Sequence, residues 1–185
     1  VVQRVLRVMG PAVLGQSTTQ VNLVVNTILA SQLAAGSVTY LFYGNRLMQL
    51  PLGIFGVAIA SAVLPDLAVH HARSDQRRFR STVAYGLKLT LFITLPAMLG
   101  LIALAFPIHT LLLKGGRFDL AATRATAMAS IAYTSGVVFA SWVKVLVPSF
   151  YALDKPSLPV KVAVGSMGVN LGLNLLLWRR FGYMG

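Results

Sequence analysis

Five long stretches of this chain carry no charged side chain, and the charged residues lie mainly in the segments between them. The uncharged stretches cover residues 8–45, 47–65, 89–113, 125–143 and 162–178. A helix of about 20 apolar residues crosses the hydrocarbon core of a bilayer. The pattern therefore predicts an all-α polytopic membrane protein, a single transmembrane domain over residues 1–185. Its five helices are expected at approximately 8–34, 38–69, 82–113, 122–153 and 158–178.

The composition excludes several other classes of protein. Hydrophobic residues make up 56% of the chain, charged residues only 11%, and the mean hydropathy is +0.74. Soluble domains are about one quarter charged, and disordered chains have low hydrophobicity. Because the chain has no cysteine, a disulfide scaffold or a cysteine-based metal site is also excluded. The chain begins Val-Val-Gln-Arg rather than with Met and shows no signal peptide, so we expect an excerpt from a longer polypeptide.

The net charge of +12 is divided unequally between the two sides of the predicted bundle. One side carries nine cations: Arg4, Arg7, Arg73, Arg77, Arg78, Arg80, Lys88, Lys155 and Lys161. The other side carries five: Lys114, Arg117, Arg124, Arg179 and Arg180. The positive-inside rule therefore places residue 1 and the loops 72–80 and 154–161 in the cytoplasm. Since the cations are split among loops rather than gathered on one face, no nucleic-acid partner is predicted.

Residue types that carry enzyme chemistry are scarce. The carboxylates stand at span ends or in loops, at Asp66, Asp75, Asp119 and Asp154. No buried acid pair is therefore available for acid–base catalysis. His70 and His71 are about 100° apart on a helix, a poor arrangement for two ligands of one metal ion, and His109 stands by itself in the sequence. We predict no catalytic residue, no metal site and interfacial histidines.

A polar stripe runs along the first predicted helix. Its members are Gln16, Thr19, Gln20, Asn22, Asn26, Thr27 and Ser31. They share about half of a helical wheel, and apolar residues fill the other half. Two interpretations are open: hydrogen bonds between packed helices, at about 1 kcal/mol each, or the wall of an aqueous cavity. Seven polar residues exceed what helix packing requires, which favours the cavity.

Two cations lie inside predicted spans. Arg46 lies about eight residues into the second span, next to Asn45 and near Gln49, and no carboxylate within a span can pair with it. Its planar guanidinium fits phosphate oxygens, which favours an anion-binding role over snorkelling to the interface. Lys144 in the fourth span either snorkels to the interface or faces a cavity. In the fifth span, Asn170 and Asn174 share a face, which fits helix packing or weak coordination of a cation.

The run YGNRLMQLPLG over residues 43–53 resembles the MurJ (MviN) family of lipid II flippases. The runs KVLVPSFYAL over 144–153 and PVK over 159–161 resemble it too, and the resemblance extends over nearly all 185 residues. It implies the helical fold of the multidrug/oligosaccharide-lipid/polysaccharide exporters, which has two six-helix lobes and, in this family, two further helices. This chain would supply spans seven to eleven, most of the second lobe.

The resemblance implies translocation of lipid II, the undecaprenyl-diphosphate-linked peptidoglycan precursor, across the bacterial inner membrane by alternating access. Arg46 matches an arginine that the family is thought to use for the diphosphate or nearby head-group charge. Other implied partners are membrane lipids and the remaining half of the same polypeptide. The predicted substrate-binding residues are Arg46, Asn45, Gln49, Gln16, Gln20 and Asn22.

The coupling of transport to an energy source is left open by the sequence. Some family members are thought to bind sodium, at positions that match Asn26, Asn170 and Asn174 here; membrane potential or protons are the alternatives. No other cofactor is implied. The family often has aspartate where this chain has Asn45, which leaves Arg46 freer for a ligand. Two rival functions remain: an exporter of another polyprenyl-linked glycan or a drug, and a non-transport membrane scaffold for cell-wall synthesis.

Overall fold

The computed structural model describes residues 17, 20, 21, 23–28, 30–32, 36–116 and 118–181, with the backbone alone for 174–181. Six α-helices follow one another along this part of the chain: α1 Ser37–Pro51, α2 Val57–Ala72, α3 Gln76–Leu113, α4 Leu120–Ser135, α5 Val137–Ala152 and α6 Ser157–Phe181. Residues 23–28 are also helical. Among the described residues, the extended structure consists of one backbone bridge, between Gly115 and Phe118.

A π-helical turn, Leu52–Gly56, joins α1 to α2, so that Ser37–Ala72 forms one helical rod of 36 residues. Pro51 immediately precedes the turn and has no N–H to offer the carbonyl of Leu47, four residues earlier. The N–H of Val57 bonds to the Leu52 carbonyl, which is the five-residue spacing of a π-helix. The proline in the second predicted span therefore sits at a local widening of the helix.

Aspartate side chains cap two helices at their N-termini. The carboxylate of Asp75 accepts from the N–H of Arg78 at 3.0 Å, and that of Asp119 accepts from the N–H of Ala122 at 2.7 Å. Each bond satisfies one of the donors that a helix leaves free at its start. The helix that Asp75 caps, α3, has 38 residues and is about 57 Å long at 1.5 Å per residue. It exceeds a hydrocarbon core of about 30 Å, so it tilts or extends beyond the core.

The fourth predicted span, 122–153, consists of two helices rather than one. Helices α4 and α5 meet at Gly136 with a bend of 43°. The Gly136 N–H bonds to the carbonyl of Tyr133, a tight turn that ends α4. This bend was not predicted from the sequence.

Within the described residues, two helical rods are long and apolar enough to cross a membrane, namely Ser37–Ala72 and Gln76–Leu113. The bent pair formed by α4 and α5 makes a third if it is one span. The first predicted span, 8–34, lies largely outside the described residues. Five spans therefore stay a prediction, of which the described helices account for up to three by length and composition.

Backbone contacts divide the chain into two units, Val38–Ala152 and the pair of segments Val1–Ser37 and Leu153–Gly185. In the first unit, α3 packs against α2, α4 and α5, and α2 also packs against α5. At the centre of this packing, a β-carbon added at Gly86 would lie 3.2 Å from Val145 and 3.4 Å from Val63. The absence of a side chain at Gly86 thus lets three helices approach closely. The single domain over residues 1–185 stays a prediction.

Candidate functional site

Four side chains on one face of α1 form the candidate site. Phe42, Asn45, Arg46 and Gln49 stand at positions i, i+3, i+4 and i+7, which share one face of a helix. Arg46, Gln49 and Phe42 are exposed, and Asn45 is half-buried. The opposite face of α1 carries buried residues, among them Gly44 and Leu47. Packing of that face thus directs the four side chains away from the helices of the unit Val38–Ala152.

Hydrogen bonds connect the polar members of this face into a row. The Gln49 side-chain N–H donates to Oδ1 of Asn45 at 2.6 Å. The other end of the Gln49 amide, Oε1, accepts a long bond of 3.5 Å from Nη1 of Arg46. One amide therefore contacts both neighbours, and its orientation is set by Asn45, which offers only an acceptor at that atom.

The guanidinium of Arg46 also lies over an aromatic ring. Its central carbon is 4.8 Å from the centroid of Phe42, one helical turn earlier, within the range of a cation–π interaction. Phe42 is not among the site residues predicted from the sequence. The signal was available in the spacing, because an aromatic residue four positions before an arginine lies on the same face of a helix.

The positive charge of Arg46 is not neutralised within the described part of the chain. No described carboxylate lies within 4 Å of it, and Nη1 makes its one long bond to a neutral amide. A guanidinium has five N–H donors in a planar fork, which matches the oxygens of a carboxylate or phosphate. Chemically, the row offers an anion one full charge, several free donors and an amide beside it.

Behind this row, a buried chain of hydrogen bonds joins three helices. Nε2 of His109 on α3 lies 2.5 Å from Oγ of Ser130 on α4, and Oγ of Ser130 donates to the carbonyl of Gly44 on α1 at 3.3 Å. His109 and Ser130 are both buried. From the sequence, His109 was expected as an interfacial histidine; its burial and this contact were not predicted, because the residues are up to 86 positions apart.

An aromatic contact fixes the first half of α1 to the loop between α3 and α4. Phe118, in that loop, makes edge-to-face contacts with Tyr40 and Tyr43, each at 6.3 Å between ring centroids. Such geometry is favourable for aromatic pairs. Helix α1 is thus contacted by the loop at Tyr40 and Tyr43 and by α4 at Gly44, shortly before Arg46.

The remaining predicted site residues are placed only in part. Gln16 and Asn22 lie outside the described residues, as does the side chain of Asn174. Gln20 and Lys144 are exposed, whereas Asn26 and Asn170 are half-buried and have interaction partners. The hydroxyls of Thr27 and Ser31 donate to carbonyls of their own helix, at 2.8 and 2.7 Å. The roles assigned to these residues, and to Asn45, Arg46 and Gln49, stay predictions.

Comparison with known proteins decides the family. The family model described as lipid II flippase MurJ matches residues 1–185. The chain belongs to the MurJ family. A probable lipid II flippase MurJ of Vibrio cholerae is 35% identical over 184 residues, which are 100% of this chain and 35% of that protein. The lipid II flippase MurJ of Burkholderia cenocepacia is 34% identical, over 100% of this chain and 36% of its own length.

A solved structure agrees with the sequence relatives. It is a lipid II flippase MurJ in an inward closed conformation, with a TM-score of 0.83, 30% identity, and coverage of 92% of this chain and 36% of that one. The resemblance and the all-α membrane fold predicted from the sequence are therefore confirmed. The chain is part of a family of multi-pass inner-membrane transporters rather than enzymes. It spans about a third of the length of the MurJ relatives that it matches.

Proposed function

We propose that this chain forms part of a lipid II flippase, which moves the undecaprenyl-diphosphate-linked peptidoglycan precursor across the bacterial cytoplasmic membrane by alternating access. Membership of the MurJ family supports this function. The structural observation that carries this proposal is the exposed guanidinium of Arg46. It lies on a helix long and apolar enough to cross a membrane, with no described carboxylate within 4 Å. A cation is costly in a membrane segment and usually marks a substrate path.

The row on α1 suits a diphosphate. The planar fork of Arg46 binds two phosphate oxygens at once, and the ring of Phe42 supports the guanidinium from one side. Nη1 of Arg46 makes only a long bond of 3.5 Å to the neutral Gln49 amide, and an arriving anion replaces it with a shorter bond between two charged groups. Further groups complete the proposed site, among them cations of the remaining half of the same polypeptide.

Alternating access also requires a helix that changes shape near the site. The π turn Leu52–Gly56 begins three residues after Gln49, and π turns are frequent at functional positions. We place the hinge of α1 there. The energy source is proposed as membrane potential or a sodium ion, with Asn26, Asn170 and Asn174 as the candidate ligands of the ion.

Genetic complementation tests this function. Cells depleted of their own lipid II flippase receive the complete product of the gene that encodes this chain, as wild type, Arg46→Ala or Arg46→Lys. Arg77→Ala serves as the matched control, because it removes the same charge from an exposed position at the start of α3. Membrane levels are equalised by immunoblot before growth is compared.

We expect growth with wild type and with R77A, and no growth with R46A. Partial growth with R46K would show that a point charge replaces part of the bidentate contact. Full growth with R46A at equal level would contradict the anion site and favour a scaffold or snorkelling. Failure of well-expressed wild type would show that the cargo is not lipid II, and another polyprenyl-linked glycan would then be tested.

A further inference from the structure

A buried chain of hydrogen bonds joins three helices and is separate from the row of Asn45, Arg46 and Gln49. It runs from His109 on α3 through Ser130 on α4 to the Gly44 carbonyl on α1. Only 3% of His109 is exposed, and none of Ser130. Polar groups buried among membrane helices are retained where they contact one another, because lipid offers no alternative partner.

The direction of the hydrogen bonds places a hydrogen on Nε2 of His109. A carbonyl only accepts, so the single hydrogen of the Ser130 hydroxyl points to Gly44. Ser130 Oγ therefore accepts from His109, which requires a hydrogen on Nε2. The other ring nitrogen, Nδ1, is buried and has no partner in the described part of the chain. An imidazole that donates from Nε2 leaves the Ser130 hydroxyl free to donate to the Gly44 carbonyl.

These hydrogen bonds end at the peptide group just before the row of Asn45, Arg46 and Gln49. The Gly44 carbonyl belongs to the peptide bond that leads into Asn45, and Arg46 follows. At this point α1 and α4 approach closely, since a β-carbon at Gly44 would lie 3.0 Å from the backbone nitrogen of Ser130. Contact at backbone distance plus a directed hydrogen bond sets both the separation and the rotation of α1 relative to α4.

We infer that His109 is a positioning residue for Arg46. Through Ser130 it holds the Gly44 carbonyl, and with it the rotation of α1 that presents Asn45, Arg46 and Gln49 away from the packed helices. His109 itself does not touch the substrate. This inference rests on the proposed function, because it assigns His109 and Ser130 to the anion site at Arg46.

Variants separate the hydrogen bond from the volume of the side chain. His109→Leu fills the space without a donor, whereas His109→Gln carries an amide N–H close to the position of Nε2 and cannot take up a proton. Ser130→Ala removes the relay. Thr126→Val is the matched control, since Thr126 is a fully buried hydroxyl one turn earlier on α4 that bonds only within its own helix.

The experiment measures the affinity of the complete, detergent-solubilised gene product for farnesyl diphosphate. Each variant is made in the wild-type background and again with Arg46→Ala. Interhelical hydrogen bonds in membranes shift equilibria by roughly three- to tenfold. We expect H109L and S130A to raise the Kd by that factor when Arg46 is present, and to have no effect on the residual Kd when it is absent. H109Q and T126V are expected to bind like wild type.

Each other outcome overturns a defined part of the account. If S130A and H109L weaken binding equally in both backgrounds, the hydrogen bonds of His109 and Ser130 only stabilise the fold, and the positioning role is wrong. If H109Q is as weak as H109L, the imidazole acts through its charge or shape rather than through this bond, which also overturns the inference. Arg46-dependent binding that S130A leaves unchanged refutes the inference but not the proposed function. Equal binding by wild type and R46A refutes the anion site itself, and the role of His109 with it.

Discussion

At the scale of single residues, the site depends on the charge of Arg46, which no carboxylate in the described part of the chain compensates. Its polar neighbours are amides, and Gln49 presents an oxygen to the guanidinium because its nitrogen is bonded to Asn45. The amide row orients the arginine without cancelling its charge. Replacing one amide by a carboxylate changes that balance while it preserves the shape.

Gln49→Glu is therefore expected to impair anion binding strongly. A carboxylate at the position of the Gln49 amide pairs with Arg46 and repels an incoming phosphate. We expect the affinity for farnesyl diphosphate to fall by at least about tenfold, given the cost of opposing like charges. Gln76→Glu, at the exposed start of α3, is the control with the same change of charge. Binding by Q49E equal to that of Q76E would contradict the assigned role of the row.

Phe42→Leu tests the contact between the ring and the guanidinium. A cation–π contact at an exposed site contributes about 0.5–1 kcal/mol, which corresponds to about two- to fivefold in binding. We expect the Kd for farnesyl diphosphate to rise by that factor. Phe92→Leu, an equally conservative change at a position 78% exposed on α3, is expected to leave the Kd unchanged. Identical Kd values for the two variants would remove Phe42 from the site.

The sequence was informative about this row because its members are close along the chain. An arginine within an apolar stretch, with amides at neighbouring positions and at i+3, is visible without a structure. Phe42 follows from the same periodicity. His109, Ser130 and Gly44 do not, because their contact depends on how three helices pack, and nothing in the local sequence of each residue reports its partners.

At the scale of helices, close packing at glycine holds α1 in place. Gly44→Ala is expected to destabilise the protein, since the added β-carbon would lie 3.0–3.2 Å from Ser130 and Ala129, largely against backbone atoms that do not move away. Overpacking of this kind costs about 1–3 kcal/mol in the free energy of unfolding. Thermal unfolding in detergent is expected to show a lower midpoint for G44A.

Gly100→Ala provides the control for this prediction. A β-carbon at Gly100 on α3 would meet no described atom within 4 Å, so the substitution only improves helix propensity. Its midpoint is expected to equal or exceed that of wild type. If G44A unfolds at the same temperature as G100A, the close crossing of α1 and α4 is not a feature of the folded protein.

Helix positions followed from the sequence more readily than helix breaks. The loop before α3 and the loop before α4 lie where charged residues interrupt the apolar pattern, and Asp75 and Asp119 cap the helices that follow. The bend at Gly136 was missed because glycine is common in membrane helices and carries no charge signal. Pro51 marks a break in the helix, but the form that the break takes, a π turn, depends on the helices that pack around it.

At the scale of the whole molecule, the distribution of cations predicts its orientation. Helix α3 separates the basic loop around Ser74 from the loop at Gly115, and the positive-inside rule puts the first loop in the cytoplasm. Single cysteines at these positions, in a background without other reactive cysteines, test the orientation. A membrane-impermeant maleimide is expected to label Gly115→Cys in intact spheroplasts and Ser74→Cys only after permeabilisation. The reverse pattern would invert the predicted topology.

The central claim is that an unneutralised arginine on α1 carries the diphosphate of a lipid-linked precursor across the membrane. The most direct test reconstitutes the complete gene product into vesicles with labelled lipid II and follows lipid that becomes accessible to an external hydrolase that cannot enter. Wild type is expected to expose the inner-leaflet lipid II at a rate well above that of empty vesicles, and R46A at a rate close to theirs. Equal rates for wild type and R46A, both above empty vesicles, would contradict the claim.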